Sequence, residues 1–182
     1  MEEQELSERC KLGDNAARKE LYDKFSNRLF GLCLRYIGDR DTARDVLHDG
    51  FLKLFQCFGQ FSYRGEGSLR AWLERVMINE ALQYLRHNNQ MNNQISIDDA
   101  QEVYDMPSVD NVSVISEQVL MKFISELPDG YRTVFNLYTF EEKSHKEIAE
   151  LLHINEKSSA SQLYRAKAVL AKRINEWVKE NG

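Results

Sequence analysis

Leu21, Phe25, Leu29, Cys33 and Ile37 recur at every fourth position. That spacing, with Tyr22, Phe30, Leu32, Leu34 and Tyr36 widening the stripe, marks one buried face of a helix. The same period returns further along. Ala43, Val46, Leu47, Gly50, Leu54 and Phe58 share a face of a second segment, and Ser159, Leu163, Ala166, Leu170 and Ile174 a face of a third. Alternating strand patterns are missing, and only two prolines interrupt 182 residues. The expected fold is all-α, with two small helical domains joined by a flexible acidic linker.

Local signals set the helix ends. Gly38 offers a left-handed close to a helix over 20–37, and Asp39 or Asp41 caps the next, over 42–58. After a loop over 59–67, Ser68 is placed to cap a helix over 69–86. Ser144 and Glu147 form a capping box that opens a short helix over 145–152. The turn His153, Ile154, Asn155 follows, and Asn155 caps a long helix to about residue 177. A short helix, a tight turn and a second helix with a polar face make a helix-turn-helix. Between the blocks, Met91 to Glu117 carry six acids and no Lys or Arg. So little apolar area there offsets ordering entropy that the stretch reads as a linker. The domains expected are 1–90 and 116–182, with the linker over 91–115.

The net charge of −5 argues at first sight against a nucleic-acid partner, but from Lys157 to the end six bases face two acids. Local patches govern an encounter with DNA more than the global sum does. Opposite the buried face of the last helix lie Lys157, Ser158, Ser161, Tyr164, Arg165, Ala168 and Lys172. Small residues let the backbone approach a groove. Ser158, Ser161 and Arg165 suit base edges or phosphates, and Lys157 and Lys172 suit phosphates. A plain solvated face is the competing reading.

The segment 42–58 has an unusual outer side. Leu52 lies opposite the buried stripe, between Asp45, Asp49 and Gln56, with Phe55 on the flank, as a protein-docking face would require. On the segment 69–86, Trp72, Arg75, Asn79, Gln83 and Arg86 form one stripe. Just before it, Phe61, Tyr63 and Arg64 sit in a loop with two glycines. Aromatic rings and arginine can stack on unpaired bases, although Phe61 and Trp72 can equally pack in the core.

Enzyme readings are poorly supported. Asp45 and Asp49 share a face without a convergent base, nucleophile or phosphate loop. His145 and His153 lie across a helix end with no further ligand nearby and read as surface or turn histidines. No cofactor, metal or small-molecule substrate is expected. Cys10, Cys33 and Cys57 form no metal-binding pattern and read as reduced thiols of a cytoplasmic protein. The acidic start is unlike a signal peptide, and no run approaches the roughly 20 apolar residues of a membrane span.

The stretches ELYDKF at 20–25, GDRDTARDVLHDGFLKLF at 38–55 and SLRAWL at 68–73, with Asn79, Tyr84, Leu85 and Arg86, resemble region 2 of extracytoplasmic-function (ECF) sigma factors. Leu127, Pro128 and YRTVF at 131–135 resemble the start of region 4, and KEIAELL at 146–152 and LYRAK at 163–167 resemble its helix-turn-helix. The resemblance implies an alternative sigma factor with no catalysis of its own, and it assigns roles. The helix over 42–58 docks on the clamp helices of core RNA polymerase through Asp45, His48, Asp49, Leu52, Phe55 and Gln56. The loop over 61–67 and the helix after it open and read the −10 element of promoter DNA through Phe61, Tyr63, Arg64, Trp72, Arg75, Asn79, Gln83 and Arg86. The last helix reads the −35 element through Lys157, Ser158, Ser161, Gln162, Tyr164, Arg165 and Lys172. An anti-sigma factor is a further implied partner. His153 stands where the family usually carries glycine, and Ala160 and Gln162 where it often carries bases, which implies a distinct −35 sequence. A free-standing operator-binding dimer and a protein-only helical adaptor remain as alternatives.

Overall fold

The computed structural model describes residues 2–88 and 115–181. Among the described residues the regular structure is helical, with no strand. The linker expected over 91–115 lies, apart from Ile115, outside the described residues. The chain divides into two compact units, Met1–Tyr84 and Leu85–Gly182.

The first unit contains α1 (Glu3–Lys11), α2 (Asn15–Ile37), α3 (Arg40–Cys57), a 3-10 turn (Phe58–Gln60) and the start of α4 (Ser68–His87). Helix α1 was not expected as an element of its own. Its buried apolar residues are only Leu6 and Cys10, too few to register as a stripe. Asp14 caps α2 by accepting the N–H groups of Ala16 and Ala17 at 2.8 and 3.2 Å. Arg9 reaches the same carboxylate at 2.6 Å and ties the end of α1 to that cap. Gly38 closes α2 at φ 84°, in the left-handed region that glycine enters at no steric cost. Of the two candidate caps for α3, Asp39 takes the Thr42 N–H, at 2.9 Å.

Leu21, Leu29 and Cys33 of α2 and Val46, Leu47 and Leu54 of α3 are buried. Burial pushes the thiol of Cys33 up to about 12 and that of Cys10 up to about 11, so both act as small apolar side chains. Helices α3 and α4 touch at Gly50, where an added Cβ would collide with Sδ of the fully buried Met77.

The second unit carries α5 (Glu117–Ser125), α6 (Asp129–Thr139), α7 (His145–Leu152) and α8 (Glu156–Asn181). Phe123, Ile124 and Leu127 pack with Ala166, Leu170 and Ile174 in one core cluster. Arg132 is buried beside this core. It donates to the carbonyls of Ser125 and Leu127 at 3.3 and 2.8 Å and pairs with Asp129. Burial lowers the pKa of its guanidinium, and the Asp129 charge opposes that shift.

The Gly50–Met77 approach generates a test. Gly50→Leu should lower unfolding free energy by about 1–3 kcal/mol through overpacking, read as a shifted denaturant midpoint. Met77→Ala in the same chain should recover part of the loss. Equal stability of Gly50→Leu and the parent would show that the flexible end of Met77 moves aside without loss of packing.

Candidate nucleic-acid interface

The outward face of α3 is built as its periodicity dictates. Leu52 is 52% exposed, and Asp45, His48, Asp49 and Gln56 surround it in solvent. Phe55 is half-buried, 6.0 Å from the Phe51 ring and under the Arg18 guanidinium at 5.2 Å. Tyr22 extends this apolar ground onto α2, its ring 4.8 Å from Phe51. An exposed leucine amid acids is poorly suited to DNA, whose phosphates those carboxylates repel, and well suited to a protein.

Residues 61–67 connect the 3-10 turn to α4. Phe61 is only 3% exposed and lies against Phe58 and Trp72, at centroid distances of 6.1 and 5.2 Å. It therefore packs at the root of the loop, the core placement that the sequence left open beside base stacking. Trp72 is half-buried in the same cluster, 5.1 Å from Phe58. Arg64 is exposed and Tyr63 half-buried, and along α4 the side chains of Arg75, Asn79, Gln83 and Arg86 are all exposed.

The cap of α4 also differs from expectation. Ser68 is the first helical residue. Its hydroxyl donates to the Gly65 carbonyl at 2.6 Å and accepts the Arg64 N–H at 3.1 Å. The amides of Gly67 and Leu69 instead donate to the Glu3 carboxylate, at 2.8 and 2.6 Å. No local pattern could have announced a cap from so distant a residue.

In the second unit the helix-turn-helix forms as expected. Ser144 and Glu147 complete the capping box. The Ser144 backbone N–H, followed by its hydroxyl, holds the Glu147 carboxyl below its ordinary pKa. His153 closes α7 at φ 56°, an angle histidine tolerates better than bulkier residues. Asn155 accepts the Ser158 N–H at 2.7 Å and opens α8. His145 does more than a surface histidine would. Its Nδ1 lies 2.8 Å from Ser159 Oγ, and its ring stacks on Tyr138 at 4.9 Å. The Lys167 ammonium sits 5.6 Å from the same tyrosine ring. These contacts fix α6, α7 and α8 to one another.

Lys157, Tyr164 and Lys172 are exposed on α8, and Ser158, Ser161 and Arg165 half-buried. Gln162 is the exception. At 1% exposure it is buried, and among the described residues neither its Nε2 nor its Oε1 finds a hydrogen-bond partner. It lies one turn on from the buried Ser159, on the flank of the packed face, and cannot reach a base from there. The expectation that it contacts the −35 element is corrected accordingly.

Comparison with known proteins agrees with this arrangement. The chain matches the family "Sigma-70 region 2" over residues 21–90 and "Sigma-70, region 4" over residues 117–170. The chain belongs to the ECF sigma factors. It is 27% identical to the RNA polymerase sigma-H factor of Pseudomonas aeruginosa, over 98% of this chain and 97% of that protein. Identity is 28% with the ECF RNA polymerase sigma-E factor of Haemophilus influenzae (94% and 95% covered) and 26% with the ECF RNA polymerase sigma factor SigM of Bacillus subtilis (88% and 97%). As a sigma factor it directs promoter-specific transcription initiation and is not an enzyme. The loop and α4 fall in the stretch matched to region 2, and the helix-turn-helix in the stretch that the region 4 match covers to residue 170.

The buried amide of this sigma factor provides a second test. Gln162→Leu should raise unfolding free energy by about 1–3 kcal/mol, because it removes unpaired polar groups from the interior. Transcription that depends on the −35 element should be unchanged. A selective loss of −35 use in this variant would restore Gln162 to the reading face.

Proposed function

We propose that the exposed side chains divide the work of initiation among three surfaces. Asp45, His48, Asp49, Leu52, Phe55 and Gln56 on α3 dock core RNA polymerase. Tyr63 and Arg64 in the loop, with Arg75, Asn79, Gln83 and Arg86 on α4, take the −10 element as it opens, and Trp72 supports them from the aromatic cluster. Lys157, Ser158, Ser161, Tyr164, Arg165 and Lys172 on α8 read the −35 element in the major groove. The observation that carries this reading is the exposed Leu52 among carboxylates, on a helix whose opposite face is buried. Such a surface is repelled by DNA phosphates and is suited to a protein partner.

An anti-sigma factor fits the same logic, since one partner that covers Leu52 and Phe55 blocks access to the polymerase. The protein acts in the cytoplasm, where its polymerase is. Among the described residues no helix is long and apolar enough to cross a membrane.

Transcription of sheared genomic DNA by core polymerase, with and without the protein, tests the whole reading. New transcripts whose starts share two upstream elements are expected. Leu52→Asp should abolish association with core polymerase at an unchanged melting temperature, and association at parental strength would remove the α3 face from consideration. Arg165→Ala should weaken promoter use by about 1–3 kcal/mol, the worth of a good base contact. That loss should vanish on templates with a scrambled −35 element, whereas an equal loss on both would reassign Arg165 to general charge.

A further inference from the structure

We propose that Glu3 is a positioning residue for −10 recognition: its carboxylate, carried on α1, sets the backbone of the loop that presents Tyr63 and Arg64 to the opened strand. This rests on the reading of that loop as part of the −10 surface. The loop contains two backbone positions that glycine alone occupies easily, Gly65 at φ 115° and Gly67 at φ 86°. Glycine there removes strain but also leaves the chain conformationally free, so contacts from outside the loop help set its shape.

Those contacts come from α1 at both ends. Glu3 Oε2 accepts the Gly67 N–H at 2.8 Å and Oε1 the Leu69 N–H at 2.6 Å. These amides lie at the start of α4, where the helix offers no internal acceptor. A carboxylate is favoured there by the helix dipole, and bonds to a charged acceptor are stronger than neutral ones. At the other end the Lys11 ammonium lies 5.8 Å from the centroid of Phe61, the ring locked against Phe58 and Trp72. Helix α1 is itself held by buried Leu6 and Cys10 and by the Arg9–Asp14 pair. Between these two anchors Ser68 braces the loop locally, its hydroxyl through Gly65 and Arg64 and its backbone N–H through the Gly65 carbonyl at 3.1 Å. Glu3 need not touch DNA to act; it determines where Tyr63 and Arg64 point.

The full-length protein with core polymerase provides the test, on a promoter mapped as above and on copies with single substitutions in either element. Glu3→Gln keeps the side-chain size but removes the charge and sets an amide NH2 group against a backbone N–H. Its preference for the parent promoter over −10-substituted copies should fall roughly tenfold, the equivalent of one charge-assisted hydrogen bond. Preference across −35 substitutions and affinity for core polymerase should not change. In the free protein, hydrogen exchange at the Gly67 and Leu69 amides should accelerate roughly tenfold. Glu3→Asp, which keeps the charge, should fall between the two. A uniform loss of transcription on all templates would make Glu3 a purely structural cap and overturn the proposal, as would an unchanged −10 preference. Tyr63→Ala and Arg64→Ala separate the two levels. If they alter −10 preference and Glu3→Gln does not, the brace alone fails; if they do not, the reading of the loop fails and the proposal falls with it.

Discussion

A protein built of helices concentrates its unsatisfied hydrogen-bonding groups at helix ends, and this sigma factor meets that constraint largely with short polar side chains. Asp14, Asp39, Ser116, Ser144 and Asn155 each accept a backbone N–H at the start of the helix they precede. Helix α6 opens after Pro128 with no side-chain cap. There the neighbouring end is served instead, because Arg132 donates to the carbonyls of Ser125 and Leu127 where α5 stops. Helix α1 opens after Glu2 with no side-chain cap, and helix α4 is capped by Glu3 from a different part of the chain. Helix ends fixed in this way give each helix a defined start, and the outward faces of α3, α4 and α8 inherit their register from those starts.

The same fixing explains how two chemically different surfaces coexist on so small a scaffold. The α3 face is apolar and acidic, while the α8 face is basic with small residues between the bases. Each is the solvent side of a helix whose other side is committed to a core. In the helix-turn-helix, the His145–Ser159 contact and the stacking on Tyr138 hold α7 and α8 at one angle. A groove-reading helix presented rigidly loses less entropy on binding than one that must be ordered at that moment.

Much of this was legible in the sequence, for a physical reason. Periodicity and caps are local, so the i, i+4 spacing in α2, the glycine at 38, the capping box at Ser144 and the outward Leu52 all announce themselves within a few residues. What escaped reading was non-local or lay on a boundary. Glu3 and its partner amides are 64 and 66 positions apart. Phe61 looks like a loop aromatic until Phe58 and Trp72 close around it. Gln162 sits at the edge between the buried and solvent sides of α8, where helical angle alone does not decide burial. His145 reads as a turn histidine until Ser159, fourteen positions on, is brought beside it.

The Glu3 contact also orders events during synthesis and folding. A carboxylate near the N-terminus is made first, and its acceptor role has no object until residues 67 and 69 have followed. Contacts so far apart in sequence form only after the intervening loop entropy has been overcome by nearer pairings. Helices α2 and α3, joined by the short turn at Gly38, can pair before α4 exists. The brace that Glu3 lays on the loop ahead of α4 therefore closes only when α1 and the start of α4 have both been made.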